Sequence, residues 1–375
     1  MGVMSKMMIG FLVLGLLAYS PAQPTLKDAF KQSFLIGAAL NRAEIYEQDA
    51  RATAIVREQF NTISPENILK WGLVHPEPDR YAFEAPDRYV DFGTRNHMAV
   101  IGHTLVWHNQ TPKWVFENSN GKLISRDELL QRMREHIQAV VGRYKGRIKG
   151  WDVVNEALND DGSLRQSPWL NIIGEDYIAK AFEFAHEADP SAELYYNDYD
   201  LEIEAKRAGA VGLVKRLKAQ GIPITAVGLQ CHNSMKWPSL EQEDATIEAF
   251  AELGVKVNIT ELDIDILPPA VKNLEANATL SAERRAELNP YKNGLPEVTE
   301  KALSKRYADL FGVFMKHRDV IERVTFWGVT DKGSWLNNWP IAGRTSYPLL
   351  FDREGRPKPA FEAVIKEGEW GKGKG

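Results

Sequence analysis

Two glutamates at the ends of apolar runs are the residues of this chain best suited to chemistry. Glu156 ends residues 148–156, and Glu261 lies within residues 255–263. Both runs are rich in Val or Ile, which is typical of buried β-strands, and a carboxylate at such a strand end is costly unless paired or hydrogen-bonded. Two such groups facing one cleft repel, so one keeps its proton while the other ionises. That is the pair needed to cleave a glycosidic bond.

Short apolar segments that alternate with amphipathic segments must position these glutamates. The predicted strands are residues 35–40, 62–66, 99–107, 148–156, 193–197, 226–230, 255–261 and 324–329. The predicted helices are residues 51–59, 127–144, 176–187, 205–220, 240–253 and 301–317. Eight strands alternating with helices predict an α/β fold with parallel βαβ units, and eight strands close a (β/α)8 TIM barrel. A doubly wound open sheet is the alternative, but the Gly-rich phosphate turn typical of that fold is missing from the sequence.

Composition narrows the possible functions. The chain has 375 residues, 44% hydrophobic and 26% charged, as in ordinary globular proteins, and we predict one catalytic domain. A net charge of −5 without a basic patch argues against nucleic acid as a partner. The single cysteine, Cys231, excludes an intramolecular disulfide and a zinc site built from several thiolates.

The N-terminus has the pattern of a secretory signal. Lys6 precedes the apolar residues 7–18, which are too few to span a bilayer, and small residues follow at positions 20–22. An uncleaved N-terminal anchor is the alternative. We therefore predict a signal peptide at residues 1–22, a barrel at 23–367 and a disordered tail at 368–375. The mature protein is expected to be secreted, extracellular or periplasmic, free of the membrane and monomeric.

Polar and aromatic residues cluster at the predicted carboxyl ends of strands two to eight. In strand order they are Glu66, Asn67 and Lys70; His103 and Trp107; Asn155 and Glu156; Tyr199; Gln230 and His232; Glu261 and Asp263; Trp327 and Trp335. Functional side chains of barrel enzymes gather at this end of the barrel. Isolated caps or buried polar groups would explain one or two of these positions, but seven strand ends together favour one cleft.

The spacing on strands six and seven indicates which glutamate ionises. Gln230 and His232 lie two residues apart, so both point the same way, and so do Glu261 and Asp263 on the neighbouring strand. We therefore expect His232 to lie between the two carboxylates. A hydrogen bond donated to Glu261 favours its ionised form and the role of nucleophile. No cation adjoins Glu156 in sequence, which favours its protonated form and the role of general acid, then base.

Metal chemistry is the weaker interpretation of the histidines. His103 and His108 lie five residues apart, which places them on opposite faces of a strand. We therefore predict neither a metal site nor a cofactor.

The motifs around these residues resemble those of family 10 glycoside hydrolases, the endo-β-1,4-xylanase family. Residues 151–157 (WDVVNEA) are similar to the acid/base signature of that family, and residues 259–263 (ITELD) to its nucleophile signature. The other similar motifs are residues 102–108, 64–67 with Lys70, 327–335 and 348–352. The resemblance extends over about residues 26–366. It implies the same barrel and a retaining endo-1,4-β-xylanase acting on xylan and xylo-oligosaccharides by double displacement.

The resemblance also implies roles for individual residues. Glu156 is then the acid/base and Glu261 the nucleophile, supported by Asn155, His232 and Asp263. Asn155 would bond the 2-hydroxyl of the sugar at the cleavage site. The other residues around that sugar would be His103, Gln230 and His232, with Trp107 as its floor. The next sugar toward the non-reducing end would be held by Glu66, Asn67 and Lys70. Trp327 and Trp335 would exclude the hydroxymethyl group of glucose. Tyr199 would line the leaving-group side. An exo-acting or mixed-specificity β-1,4-glycanase and a non-catalytic sugar-binding barrel remain the alternatives.

Overall fold

The computed structural model describes residues 24–269 and 282–370 of the chain. The strands are β1 (Leu35–Leu40), β2 (Thr62–Pro65), β3 (Ala99–Trp107), β4 (Gly150–Asn155), β5 (Glu193–Asp198), β6 (Ala226–Leu229), β7 (His232–Ser234), β8 (Lys256–Asp265) and β9 (Ile321–Phe326). The helices are α1 (Leu26–Ala29), α2 (Arg42–Ile45), α3 (Ala50–Gln59), α4 (Trp71–Val74), α5 (Glu84–Arg95), α6 (Arg126–Arg143), α7 (Pro168–Ile173), α8 (Tyr177–Ala188), α9 (Glu204–Ala219), α10 (Leu240–Ala251), α11 (Ala282–Glu287), α12 (Glu297–Lys316) and α13 (Pro359–Trp370). Two short 3₁₀ helices span Lys113–Val115 and Trp335–Asn337.

Eight parallel strands close into a ring, which confirms the predicted (β/α)8 barrel. Each of β1 to β6 pairs with its neighbour in sequence, β6 pairs with β8, and β8 and β9 complete the circle back to β1. The ninth strand, β7, is a three-residue extension beside the end of β8, where His232 pairs with Asp263. Helices cover the ring from outside, so the strands are buried on both faces and read as continuous apolar runs.

Two strands end at residues with a left-handed backbone. Predicted strand four includes Glu156, but β4 ends at Asn155, and Glu156 has a φ of 56°. Predicted strand six includes Gln230, but β6 ends at Leu229, and Cys231, with a φ of 54°, separates it from β7. Non-glycine residues rarely adopt this conformation. The chain therefore turns sharply at Glu156 and between the predicted functional residues Gln230 and His232.

The last barrel strand begins and ends earlier than predicted. It spans residues 321–326 rather than 324–329, and Gly328 just beyond it has a φ of 126°. Glycine adopts that conformation at no steric cost, so the chain leaves the barrel there.

The sequence prediction missed helix α5 between β2 and β3. Pro86 lies in its first turn, where the missing N–H has no intrahelical partner to lose. The helix buries Tyr89, whose hydroxyl lies 2.8 Å from the carbonyl of Ile63 and 2.7 Å from that of Ile101. This side chain ties α5 to both strands that it connects.

The chain ends are only partly described. Residues 368–370 belong to helix α13, so the predicted disordered tail begins too early, and residues 371–375 lie outside the described part. The predicted signal peptide, residues 1–22, also lies outside it. Across residues 24–269 and 282–370, the helices are too short or too polar to cross a bilayer.

Candidate active site

His232 lies between two carboxylates at the carboxyl end of the barrel, as predicted. Its Nε2 is 3.1 Å from Glu261 Oε2, and its Nδ1 is 3.1 Å from Asp263 Oδ1. Burial lowers the pKa of His232, but the two carboxylates outweigh burial and raise this pKa to about 10. The imidazolium therefore donates a hydrogen bond from each nitrogen. The placement agrees with the prediction, but strand parity does not explain it, because Cys231 interrupts the strand.

Glu261 is held in its ionised form. The residue is 5% exposed, and burial alone raises the pKa of its carboxyl. The His232 hydrogen bond and the electrostatic attraction of His103, His232 and Lys70 overcome burial, so this pKa is lowered below its usual value. Asn197 Nδ2 donates a further hydrogen bond of 2.9 Å to Glu261 Oε1. A buried, ionised carboxylate in the carboxyl-terminal half of β8 is suited to nucleophilic attack.

Glu156 is surrounded by neutral donors instead. Trp107 Nε1 lies 2.8 Å from one carboxyl oxygen, while Gln230 Nε2 at 3.0 Å and Asn155 Nδ2 at 3.1 Å approach the other. Its backbone N–H donates to Asn197 O over 2.9 Å. The carboxyl group therefore has a fixed orientation without a direct ion pair, which suits a group that must both donate and accept a proton.

One amide network links the two glutamates. Asn155 Oδ1 accepts from Asn197 Nδ2 at 2.9 Å and from Gln230 Nε2 at 3.3 Å. Asn197 also donates to Glu261, so a single side chain connects the acid/base side of the site to the nucleophile side. Asn197 was missing from the predicted site, although it lies at the carboxyl end of a barrel strand, and that position was the available signal.

Close packing keeps Asn197 in place. Its Oδ1 accepts from the Thr260 hydroxyl at 2.7 Å. A Cβ at Gly228 would lie 2.3 Å from the same oxygen, so the neighbouring strand has room for glycine only.

Aromatic side chains enclose the His232 side of the site. Trp335 Nε1 donates to Asp263 Oδ2 over 2.7 Å, and its ring centroid lies 4.9 Å from that of His232. The Trp327 ring packs edge-on against the rings of His232 and His103, with centroid distances of 6.2 Å and 5.6 Å respectively. The structure therefore packs both predicted tryptophans against His232, the residue that bonds Glu261.

His103 is oriented from behind by a residue that the sequence prediction missed. Its Nδ1 lies 2.9 Å from Asp152 Oδ2, and both side chains are buried. Asp152 lies on β4 opposite His103 on β3, and its place inside the WDVVNEA motif was the available signal.

The predicted group Glu66, Asn67 and Lys70 also assembles. Lys70 Nζ donates to Asn67 Oδ1 over 3.0 Å and lies 4.9 Å from the centre of the Trp107 ring. Burial lowers the pKa of Lys70. The nearby carboxyl groups of Glu261, Glu156 and Glu66 act in the opposite direction but do not outweigh burial. Burial and the neighbouring Glu44 raise the pKa of Glu66 to about 8, against the charge of Lys70. Glu44, which caps helix α2, was not predicted as a neighbour.

Two cations hold Tyr199 on the other side of Glu156. Arg165 Nη2 donates to the Tyr199 hydroxyl over 2.7 Å, and Lys206 Nζ lies 3.5 Å from the ring centre. The sequence prediction named neither cation, because Arg165 lies in a loop and Lys206 has the spacing of an ordinary helix charge.

The catalytic candidates do not form a metal site. Within the described ranges, two groups of three metal-ligating side chains are compact enough for an ion, and neither contains Glu156 or Glu261. The buried group is Glu202, Cys231 and Glu243, and the surface group is Asp244, Glu248 and His317, where Lys316 already pairs with two of the carboxylates.

A closed (β/α)8 barrel with two glutamates at its carboxyl end, one bonded to an imidazolium and the other to neutral donors, has an architecture that suits a glycoside hydrolase. Residues 25–367 match the family model "Glycosyl hydrolase family 10". The chain belongs to glycosyl hydrolase family 10, as the resemblance of its motifs predicted.

Curated relatives and solved structures agree with this family. The chain is 46% identical over 363 residues to endo-1,4-beta-xylanase A of Xylanibacter ruminicola, covering 97% of this chain and 98% of that protein. It is 44% identical to a beta-1,4-xylanase of Dictyoglomus thermophilum, and the match covers 92% of this chain and 91% of that protein. A GH10 endoxylanase retrieved from sugarcane soil metagenome is 47% identical, with a TM-score of 0.87 over 92% of this chain and 100% of that one.

Proposed function

We propose that this protein is a retaining endo-1,4-β-xylanase that hydrolyses internal bonds of xylan by double displacement. The observation that carries the proposal is the contrast between the two glutamates, because one is ionised against the His232 imidazolium and the other is held by neutral donors. Membership of family 10 and the xylanase names of its relatives support the substrate.

The first half-reaction uses both glutamates together. Glu156 gives its proton to the glycosidic oxygen while Glu261 attacks the anomeric carbon, forming a covalent glycosyl ester and releasing the leaving-group sugar. The Trp107 and Gln230 hydrogen bonds hold the Glu156 carboxyl in one orientation for this transfer. The His232 hydrogen bond keeps Glu261 oriented and ionised before attack.

The second half-reaction reverses the roles. Glu156, now ionised, removes a proton from a water molecule that attacks the same carbon, and Glu261 leaves as a carboxylate. Two inversions at one carbon give net retention. The Asn155 amide bonds Glu156 through Nδ2 and Asn197 through Oδ1. Its second N–H is suited to bonding the 2-hydroxyl of the sugar, a contact that strengthens in the transition state.

The surrounding side chains suit xylose more than glucose. Trp327 and Trp335 stand against His232, where the extra hydroxymethyl of glucose would need space. Glu66, Asn67 and Lys70 supply hydrogen-bonding groups for the next sugar toward the non-reducing end, and Tyr199 faces the leaving-group side.

Hydrolysis of two soluble polymers tests this function. Wild type and Glu261→Ala are incubated with soluble xylan and with carboxymethyl-cellulose, and chain length is followed. Rapid shortening of xylan by the wild type alone supports the proposal. Inactivity of the wild type on both polymers contradicts it, and activity on short xylo-oligosaccharides would then indicate an exo-acting enzyme, whereas binding without turnover would indicate a sugar-binding barrel.

We also propose that the protein is secreted after cleavage near residue 22 and acts as a monomer. The charged, apolar and small-residue segments of residues 6–22 support the cleavage. N-terminal sequencing of protein from the culture medium and light scattering of the purified enzyme test both statements. An intact N-terminus in a membrane fraction, or a dimer mass, would contradict them.

A further inference from the structure

Arg165 joins the two residues that handle the leaving group. It follows β4 in a loop, and its guanidinium contacts both the backbone of Glu156 and the hydroxyl of Tyr199. We propose that Arg165 is a positioning residue that couples the acid/base glutamate to Tyr199 and so serves the departure of the leaving-group sugar. This inference rests on the proposed function, because it assigns Glu156 the role of proton donor.

Arg165 stabilises the backbone turn that aims Glu156 into the cleft. Its Nε donates to Glu156 O over 3.1 Å, its Nη2 donates to Leu158 O over 3.0 Å, and its own backbone N–H donates to Ala157 O over 2.7 Å. Glu156 has a left-handed backbone, which is strained for a residue with a Cβ and persists only where surrounding contacts hold it. Three hydrogen bonds from one arginine supply such contacts at this turn.

The same guanidinium fixes how Tyr199 can act. Arginine has only donor groups, so the Tyr199 hydroxyl must accept the 2.7 Å hydrogen bond from Nη2. The hydroxyl proton is then directed away from Arg165 and is available to a sugar oxygen. Lys206 adds a second cation 3.5 Å from the ring centre and is itself held 3.0 Å from Asp198. Tyr199 is therefore prepared to donate rather than accept.

The charge of Arg165 favours the same step. The guanidinium interacts electrostatically with the Glu156 carboxyl, which becomes an anion as it gives its proton to the leaving group. Arg165 thus acts on the orientation of the acid, on the hydrogen bond to the leaving sugar and on the charge that develops in the first half-reaction.

A leaving-group series separates this role from a merely structural one. The value of kcat/KM is measured for Arg165→Met with xylotetraose, whose leaving group needs a proton, and with 2,4-dinitrophenyl β-xylobioside, whose phenolate leaves without one. We expect a loss of about 100-fold for xylotetraose and less than about 3-fold for the aryl substrate, since general-acid catalysis contributes at least about 100-fold. Equal losses on both substrates, or no loss on either, would overturn the inference.

Two further variants test the coupling to Tyr199. Tyr199→Phe keeps the ring and removes the hydroxyl, and we expect a smaller loss with the same dependence on the leaving group. In the double variant the two losses should be clearly less than additive, because both act through one hydrogen bond. Additive losses would contradict the coupling. If Arg165→Met does not fold, Arg165→Lys is measured instead, since lysine keeps the charge but cannot span both partners.

A matched arginine controls for general effects of the substitution. Arg126 also donates to a backbone carbonyl, that of Ile173, and its exposed guanidinium pairs with the exposed Asp176 rather than with Glu156 or Glu261. Arg126→Met should leave the ratio of the two kcat/KM values unchanged, and a change as large as that of Arg165→Met would overturn the inference. Inactivity of the wild type on both substrates would instead contradict the proposed function.

Discussion

The pocket of Glu261 and the buried cluster of Glu202, Cys231 and Glu243 differ in charge although both are enclosed. Glu261 is 5% exposed and Glu243 is 0% exposed. The pKa of Glu261 is nevertheless lowered, whereas burial raises the pKa of Glu243 to about 7 and that of Glu202 to about 8. Burial is similar in the two places, so the partners decide which carboxyl group ionises.

The partners explain the difference directly. Glu261 faces the His232 imidazolium at 3.1 Å and lies within the field of Lys70. In the buried cluster, the Cys231 thiol lies 3.3 Å from Glu243 Oε1, and the guanidinium of Arg306 is engaged by the carbonyls of a neighbouring loop. Cys231 lies between Gln230 and His232, so the two regions adjoin at the link between β6 and β7.

The largest contrast comes from making the same substitution in both regions. Glu261→Gln removes the nucleophile, and we expect kcat on xylan to fall by roughly 10⁴- to 10⁶-fold. Glu243→Gln leaves the cleft untouched and should keep kcat within about 3-fold of wild type. Steady-state rates on soluble xylan measure both. Equal rate losses in the two variants would show that the regions are not functionally distinct.

A smaller effect is expected when the cation beside Glu261 is removed. His232→Asn loses the imidazolium that lowers the pKa of Glu261, so this pKa rises. The acidic limb of kcat/KM should then move to higher pH, and the plateau should fall roughly 10- to 100-fold, as expected for loss of a charged hydrogen bond. A pH–rate profile measures both changes. An acidic limb at the wild-type pH would mean that His232 does not control the charge of Glu261.

The buried cluster should appear in the pH dependence of stability. Glu243 has a pKa of about 7 in the folded protein and a usual value of 4.5, so the folded state holds its proton more tightly. Its contribution to the free energy of unfolding is complete below about pH 4.5 and is lost as the pH rises through 7. Between pH 5 and pH 8, the free energy of urea unfolding should fall by about 2 kcal/mol more in wild type than in Glu243→Gln, since other raised carboxyl groups such as Glu202 and Glu66 contribute to the loss in both proteins. Parallel losses in both proteins would contradict a protonated Glu243.

The smallest effect is expected at Glu66. Its pKa is raised like those of Glu202 and Glu243 in the buried cluster, although it lies in the cleft. Its pKa of about 8 means that it is protonated at pH 6, so glutamine is close to it in shape and charge. Glu66→Gln should keep kcat/KM for xylotetraose within about 3-fold at pH 6. A much larger loss at that pH would show that the ionised form of Glu66 binds the sugar.

The sequence predicted the barrel and the main site residues because both depend on local patterns. The number of apolar strands and the polar residues at their ends indicated that His232, Glu261 and Asp263 share one cleft, although the assumed strand parity does not explain how His232 reaches both carboxylates. Asn197 lies at a strand end and could have been recognised in this way, whereas Arg165 lies in a loop and could not. Their roles depend on contacts between elements far apart in sequence, such as the 2.9 Å bond from Asn197 to Glu261.

The strand ends were predicted less well for a related reason. Left-handed residues at Glu156 and Cys231 have no composition signal, since glycine would be the ordinary choice there. Tertiary contacts such as the Arg165 hydrogen bond to Glu156 O hold these turns, and single-sequence patterns do not contain them. Helix α5 was missed because Pro86 suggests a break, although proline is tolerated in a first turn.

Trapping the covalent intermediate tests the central claim most directly. The enzyme is incubated with 2,4-dinitrophenyl 2-deoxy-2-fluoro-β-xylobioside, whose fluorine slows hydrolysis of the glycosyl ester, and the labelled peptide is identified by mass spectrometry. We expect one fluoro-xylobiosyl group per protein, attached to Glu261. A label on Glu156, or turnover with inversion and no label at all, would contradict Glu261 as the ionised nucleophile.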